Sequence, residues 1–461
     1  MAHVSRLAGL QRREFLKRAS ALSVAGAATP WALQLAAINE AAAATAGDYK
    51  ALVCLFMYGG NDHGNTLIPY DAASHQAYAA IRQTLAIPRD QLAATALSPS
   101  VALAGGRQMA LAPALAPLKP IFDAGRLGVL LNVGTLMQPT TLAQYKAGNV
   151  ALPPKLFSHN DQQSIWQASN PEGATSGWGG RLGDQFLAGN SNTSFTCINV
   201  SGNAVFMSGQ QAVQYQMSSG GAVAVNGLAR PLFGSQACSD ALRSLITGSR
   251  SHWMEDELNR VSARSVNAQA TVSAALAAQP ALQTAFASGN LAQQLQMVAR
   301  LIAARSALGV ARQVFFVSLG GFDLHDLLMD QHGSLLGQVG GALASFDQAL
   351  QELGVAGQVT TFTASDFGRT LSSNGDGSDH GWGSHHLVMG GAVRGGRFHG
   401  QLPEVSVNGP DDVGQGRLLP GTAVDQLAAT LALWMGVPAS ELPRVLPGIV
   451  NFSQRDLGLF A

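Results

Sequence analysis

Four short segments carry ionisable residues in patterns that could do chemistry; three directly follow a short apolar run, and the fourth comes soon after the third. Gly59-Gly60-Asn61-Asp62-His63 sets a carboxylate behind a glycine pair that permits a sharp turn. In Gly320-Gly321-Phe322-Asp323-Leu324-His325, an extended chain puts Asp323 and His325 on one face. Ser365-Asp366-Phe367-Gly368-Arg369 adds a carboxylate and a guanidinium, and Ser378-Asp379-His380-Gly381-Trp382-Gly383-Ser384-His385-His386 is dense in imidazole. Carboxylate oxygen together with imidazole nitrogen suits zinc, manganese or iron. Asp62 alone is equally a turn cap, and Arg369 alone equally a structural ion-pair partner. Surface chance explains any one segment; all of them at strand ends point to a shared site.

The elements that must position these residues alternate along the chain. Residues 51–58 form a continuous apolar run too short for most helices, which reads as a buried parallel strand. Residues 127–133, 314–319, 359–363 and 386–389 read the same way, with helical stretches at 111–124, 335–353 and 424–435 between them. Strands alternating with helices imply an α/β fold around a mostly parallel sheet, whose ligand sites form beyond the carboxyl ends of the strands. Residues 208–295 have mainly helical periodicity and read as a cap or insertion. Trp178 and Trp382 read as packing residues beside glycine-rich turns.

Composition narrows the function classes. With 28 basic residues balancing 28 acidic ones and only 12% charged, the chain lacks the field that holds phosphate backbones, so nucleic acid is not an expected partner. At 47% hydrophobic it also lacks the signature of disorder. Glycine, 52 of 461 residues, exceeds the usual ~7% and suggests many tight turns. Cys54 reads as a small buried hydrophobe, while Cys197 and Cys238 could pair; three cysteines give no disulfide framework and no cysteine-rich metal site.

At the N-terminus Arg12-Arg13-Glu14-Phe15-Leu16-Lys17 precedes a mildly apolar stretch and the run Ala41-Ala42-Ala43-Ala44. This order reads as a twin-arginine signal peptide over residues 1–46 with cleavage near Ala44, followed by one domain at 47–461. Pro30, Asn39 and Glu40 argue against a retained membrane span. The expectations are the twin-arginine export machinery as a partner, a periplasmic or secreted location, and no stable membrane span after cleavage.

Taken together, LFMYGGNDHGNTLIPY, LFSHNDQQSIWQ, GWGGRLGDQF, SLGGFDLHDLLMDQH, TASDFGRT and DHGWGSHHLVMGGAVRGG, with a C-terminal LPGIVNF, resemble the domain of unknown function 1501 family, within the alkaline phosphatase and sulfatase-like superfamily. The resemblance covers nearly the whole chain after the leader. It implies an alkaline-phosphatase-like α/β fold: a mostly parallel central sheet flanked by helices, with the mainly helical insertion. Metal enzymes of that superfamily use a first-strand Asp, a hydroxyl or thiol nucleophile, then Asp and His ligands from later strands. Asp62 resembles the first-strand ligand, Asp323 with His325 the Asp/His pair of one metal site, and Asp366 the carboxylate of a second. His380 resembles the late histidine, with His385 or His386 as substitutes. Ser158 is the preferred nucleophile and equally a helix N-cap; Thr66 is second. Two departures matter. Phe367 follows Asp366 where the superfamily has a histidine, and the Asp323/His325 spacing is tighter than usual, so that His332 could replace His325. One metal with a weaker second position, or none, is compatible with this pattern.

The enzymatic expectation is a phosphoester or sulfoester hydrolase acting on a small-molecule or polymer ester. A divalent ion (zinc, manganese, magnesium or calcium) would sit on Asp323, His325 and His380, a second on Asp62 and Asp366 beside Ser158, and Arg369 would neutralise a substrate oxyanion. The alternative is a non-catalytic exported metal-binding or assembly protein on the same fold.

Overall fold

The structure is a computed structural model that describes residues 49–460. The expected leader lies outside the described residues. The strands are β1 (Lys50–Met57), β2 (Leu67–Pro69), β3 (Met109–Leu111), β4 (Leu127–Gly134), β5 (Cys197–Asn199), β6 (Tyr215–Gln216), β7 (Arg312–Leu319), β8 (Val359–Ser365), β9 (Ser384–Met389), β10 (Arg397–His399) and β11 (Thr422–Ala423). Helices of ten or more residues are α1 (Ala72–Arg82), α2 (His159–Ala168), α3 (Gln236–Thr247), α4 (Trp253–Ala277), α5 (Asn290–Ala303), α6 (Leu328–Glu352) and α7 (Val424–Met435). Among the described residues no helix is long and apolar enough to cross a membrane.

The central sheet runs β10-β4-β9-β8-β1-β7-β5-β6, with β11 also on β4. β1 is buried on both faces, which is why its sequence is a continuous apolar run rather than an alternation. Val53 and Leu55 face one core cluster beneath α5 and α6; Leu52, Cys54 and Phe56 face the other beneath α7 and Trp178. β1 pairs in parallel with β7 and β8, and Met57 stands opposite both Leu319 and Ser365. The three strands therefore end flush, and the loops that follow them leave from one edge.

Two expectations needed correction. The sheet is mostly parallel, as expected, but the strand at 386–389, read as parallel, is present as β9 and runs antiparallel to both β4 and β8. Residues 111–124 do not form one helix: Pro113, Pro117 and Pro120 divide them into a 3-10 turn at Pro113–Leu118 and a short helix at Lys119–Asp123. The helical insertion lies between β6 and β7 and contains α3, α4 and α5. Trp178 and Trp382 are fully buried, the latter donating its indole N–H to Thr135 O at 2.7 Å. The three cysteines are free: Cys197 is buried in β5 and Cys238 exposed on α3, so they form no pair.

Candidate metal centre

The loops leaving β1, β7 and β8 interlock before any functional side chain is placed. Gly59 (φ +115°) and Gly60 (φ +83°) are in conformations that disfavour other residues. A Cβ at Gly59 would collide with the backbone N of Asp323, and one at Gly60 with the Phe367 ring. The Gly59 N–H donates to Asp366 Oδ1 at 3.2 Å, and the Asn61 N–H to Ser365 Oγ at 2.8 Å. The glycine pair thus locks the β7 and β8 loops at their bases.

Asp323 stands at the centre of a histidine cluster. Its Oδ1 lies 3.2 Å from His380 Nε2 and 3.1 Å from His325 Nε2, and its Oδ2 lies 3.3 Å from His159 Nε2. Each imidazole has its other nitrogen tied to an oxygen. His159 Nδ1 is 2.6 Å from Asp366 Oδ2, His380 Nδ1 is 2.7 Å from Phe157 O, and His325 Nδ1 is 3.2 Å from Asp379 Oδ1. Oxygens of this kind take a hydrogen bond from Nδ1–H, which in neutral rings leaves the Nε2 lone pairs turned on Asp323. His159 Nε2 is buried, and although close to Asp323 it makes no aligned hydrogen bond. Ligand atoms of His159, Asp323 and His380 all lie within 4.8 Å of one another. His325 Nε2 and His380 Nε2 are themselves 2.9 Å apart, and this convergence of imidazole nitrogens on a carboxylate is a donor set that fits a divalent metal.

The shell behind these groups is specific. His159 and Gln163, one helical turn apart on α2, both donate to Asp366 Oδ2, at 2.6 and 2.7 Å. Phe367, which follows Asp366, packs its ring against His159 and His380 with centroids 4.9 and 4.6 Å away. Arg369 is fully buried and donates from Nη1 to Asp323 Oδ1 at 2.8 Å and Gly59 O at 3.0 Å, and from its other nitrogens to Ser378.

The family model described as a protein of unknown function (DUF1501) matches residues 49–443, which include every residue of this cluster. The chain belongs to the DUF1501 family. No curated protein matches it. Among solved structures, the chain is similar to the PsFucS1 sulfatase from Pseudoalteromonas sp., at 10% identity over 92% of this chain and 76% of that one, TM-score 0.35. It is also similar to the lipoteichoic acid synthase LtaP from Listeria monocytogenes (7% identity, 90% and 81% covered, TM-score 0.34) and to a mutant of the alkaline phosphatase PafA (11%, 71% and 64%, TM-score 0.29). These likenesses are remote.

In this DUF1501 chain the sequence candidates separate into groups. Asp323, His325 and His380 come together, with Arg369 holding the carboxylate. Asp366 lies one step behind: both its oxygens accept hydrogen bonds, from Gly59, His159 and Gln163, so it orients a histidine. Asp62 has a different employment, since it is buried against Arg82 and accepts from the Gly64 N–H at 3.1 Å. His385 is buried elsewhere, its Nδ1 accepting from the Asn132 N–H at 3.0 Å, and burial lowers its pKa well below the usual histidine value. His332 does not join the cluster: it is buried against Asn61 Oδ1 at 3.0 Å, with a pKa lowered to about 4 by burial. Ser158 precedes α2 and donates to Asp161 Oδ2 at 3.2 Å, making no side-chain cap bond; Thr66 Oγ donates to Asp62 O at 2.7 Å. Sequence reasoning missed His159, Gln163 and Asp379. The first two carried a usable signal, a His-x-x-x-Gln pair opening a helix.

Electrostatics follow from these contacts. The hydrogen bond to Asp366 raises the His159 pKa above its usual value, against burial, which lowers it. Burial lowers that of His380. Partial burial works to raise the Asp323 carboxyl, but the hydrogen bond and charge of Arg369 outweigh it and hold the group below the usual range. A histidine whose folded pKa is raised contributes stability that is full below its unfolded pKa of ~6.5 and is lost as pH rises through the folded value. In chelator-treated protein, therefore, the destabilisation caused by Asp366→Asn is expected to be largest just below pH ~6.5 and to shrink above it. Urea unfolding of both proteins between mildly acidic and mildly alkaline pH checks this; a pH-independent difference would show that Asp366 does not govern His159.

Proposed function

We propose that this protein is an exported, metal-dependent ester hydrolase in which one divalent ion is held by His159, Asp323 and His380, with His325 at its exposed side. The convergence of those ligand atoms within 4.8 Å is the observation that carries the reading. When bound, such an ion supplies Lewis-acid stabilisation of charge on a phosphoryl or sulfuryl oxygen. The protein's own groups have separable tasks. Asp366, the Phe157 carbonyl and Asp379 orient the imidazoles, and Phe367 fixes the planes of two of them. Arg369 positions Asp323: its donors are committed within the protein, which supports a structural ion pair over an oxyanion contact. Ser158 is the proposed nucleophile, its hydroxyl adjacent in the chain to His159 and hydrogen-bonded to Asp161.

A second ion on Asp62 and Asp366 has no support in the geometry, because both carboxylates are occupied by protein donors. That single-site arrangement keeps the non-catalytic metal-binding or assembly reading as the alternative. Elemental analysis of protein purified without chelators, followed by assays on aryl phosphate and aryl sulfate esters with zinc, manganese, magnesium and calcium, separates the two. About one equivalent of metal with turnover supports the hydrolase; metal without turnover of either ester supports the alternative. Ser158→Ala is expected to retain the metal and lose hydrolysis, because a nucleophile uses the site that the ligands build.

Export by the twin-arginine route is proposed from residues 1–46. Replacing Arg12 and Arg13 together by Lys is expected to leave precursor in the cytoplasm, read by fractionation and immunoblotting; normal export of that variant would reject the route.

A further inference from the structure

The insertion concentrates large apolar side chains in solvent. Phe233 is 91% exposed, Trp253 75% and Leu258 65%, and Leu245, Met254 and Val261 are exposed beside them in the sequence. The exposure is not fraying. Asn259, buried on α4, donates to Leu245 O at 3.0 Å and Gly248 O at 2.6 Å, and the Arg250 N–H donates to Asp256 Oδ1 at 2.9 Å, which ties α3 to α4.

The apolar positions of α4 form a seam. Met254, Leu258, Val261, Ala268, Val272 and Ala275 recur at steps of four, three or their sum of seven, the 3.5-residue period of a helix that packs lengthwise against another. At its C-terminal end the seam is partnered: Val272 and Ala275 are buried in the core, and Ala268 packs on it. At its N-terminal end the same seam continues past the protein body, and Met254, Leu258 and Val261 face solvent.

Charge decides what fits there. Residues 223–264 hold five arginines (230, 243, 250, 260 and 264) and four acidic groups (240, 255, 256 and 257), so the region has almost no net charge. A helix that lies on an anionic bilayer needs a strongly basic polar face. Here the signs are instead ordered along the seam. Glu257 precedes Leu258, and Arg264 follows Val261 by three residues. When two such helices run antiparallel with Leu258 of each against Val261 of the other, Glu257 of each copy faces Arg264 of the other, and the two-fold repeats the pair. In a single copy Glu257 and Arg264 pair with each other at 3.3 Å on an exposed surface, and exchanging that contact for its equivalent across the two-fold costs little.

We propose that the N-terminal half of α4 is a self-association surface on which a second copy of this chain docks antiparallel through Met254, Leu258 and Val261. Sedimentation equilibrium of the purified full chain tests this. Wild type is expected at twice the chain mass, and Leu258→Asp/Val261→Asp at the chain mass with an unchanged melting temperature. Glu257→Arg should weaken the dimer by about tenfold, since it creates two like-charge contacts per dimer, and Glu257→Arg/Arg264→Glu should restore it. A wild-type monomer at the highest concentration reached, a dimer that survives the double Asp substitution, or a charge reversal that does not restore association would each overturn the proposal. So would monomeric wild type that sediments with phosphatidylglycerol vesicles while the double Asp variant does not, which would make the occupant a lipid surface.

Discussion

Asp323→Ala is expected to abolish metal retention and, with it, every chelator-dependent property of the protein. Of all the groups in the cluster, this carboxylate alone lies within 3.3 Å of the Nε2 atoms of His159, His325 and His380. A metal that binds only the native state adds RT ln(1 + [L]/Kd), about 2.7 kcal/mol at a hundredfold excess over Kd. With an unfolding entropy of roughly 2.1 cal/mol/K per residue, a chain body of about 410 residues has ~0.9 kcal/mol/K at its midpoint, so chelation should lower the wild-type melting temperature by about 3 °C. In Asp323→Ala that shift should vanish, and hydrolysis with it. His159→Ala should do the same, and His325→Ala less completely, because His325 is 41% exposed and stands outside the tightest group. Asp323→Asn is the informative control. It keeps an acceptor for the buried Arg369 while removing the charge that a cation needs, so it should lose the chelator response with a smaller drop in metal-free stability than Asp323→Ala. Calorimetry with and without chelator reads both. A chelator response that persists in Asp323→Ala would remove the metal centre from this part of the protein.

How much of this was legible in the sequence depended on the range over which each residue's task is set. The runs that became β1, β7 and β8 could be read because burial on both faces of a central parallel strand leaves little room for polar residues. That the Asp323, Asp366 and His380 segments share an edge followed from the same reading, since loops after parallel strands leave from one side. The roles within the cluster were not legible. Asp366 is a carboxylate at a strand end, as a ligand would be, yet whether it meets a metal or a histidine depends on α2, some two hundred residues earlier. Phe367 read as a missing imidazole, whereas its ring packs against both His159 and His380, which also touch each other. His159 was overlooked because the serine before it drew the functional assignment. Residues 111–124 kept a helical pattern of apolar residues while their prolines broke the helix that the pattern implied.

The same limit applies to Asp62, and it leads to the prediction with the largest effect on stability. The carboxylate of Asp62 and the guanidinium of Arg82 form an ion pair with side chains 1% and 0% exposed. Burial works to raise the Asp62 pKa, but the charges of Arg82, His332 and His63 outweigh it, and the group titrates below the usual carboxylate range. Removing one member of a buried pair leaves the other charged and unsolvated, which costs ~3–5 kcal/mol, whereas replacing both by apolar groups is often close to neutral. Arg82→Met is accordingly expected to lose that amount at neutral pH, a fall in melting temperature of about 3–6 °C on the entropy scale above. Asp62→Leu/Arg82→Met should lose less than the Arg82 single variant. The sign of the pH dependence is fixed: a depressed carboxylate contributes stability that is full above its unfolded pKa of ~3.9 and is lost as pH falls through the lower folded value. In Arg82→Met burial without a partner raises the Asp62 pKa, so the gap to wild type should narrow as pH falls through that raised value. Throughout, the chelator-dependent shift should be unchanged in these variants, because Asp62 spends its charge on Arg82. Loss of that shift in Asp62→Asn, with Arg82→Met leaving it intact, would instead make Asp62 a ligand, since only a ligand couples the carboxylate's presence to the metal.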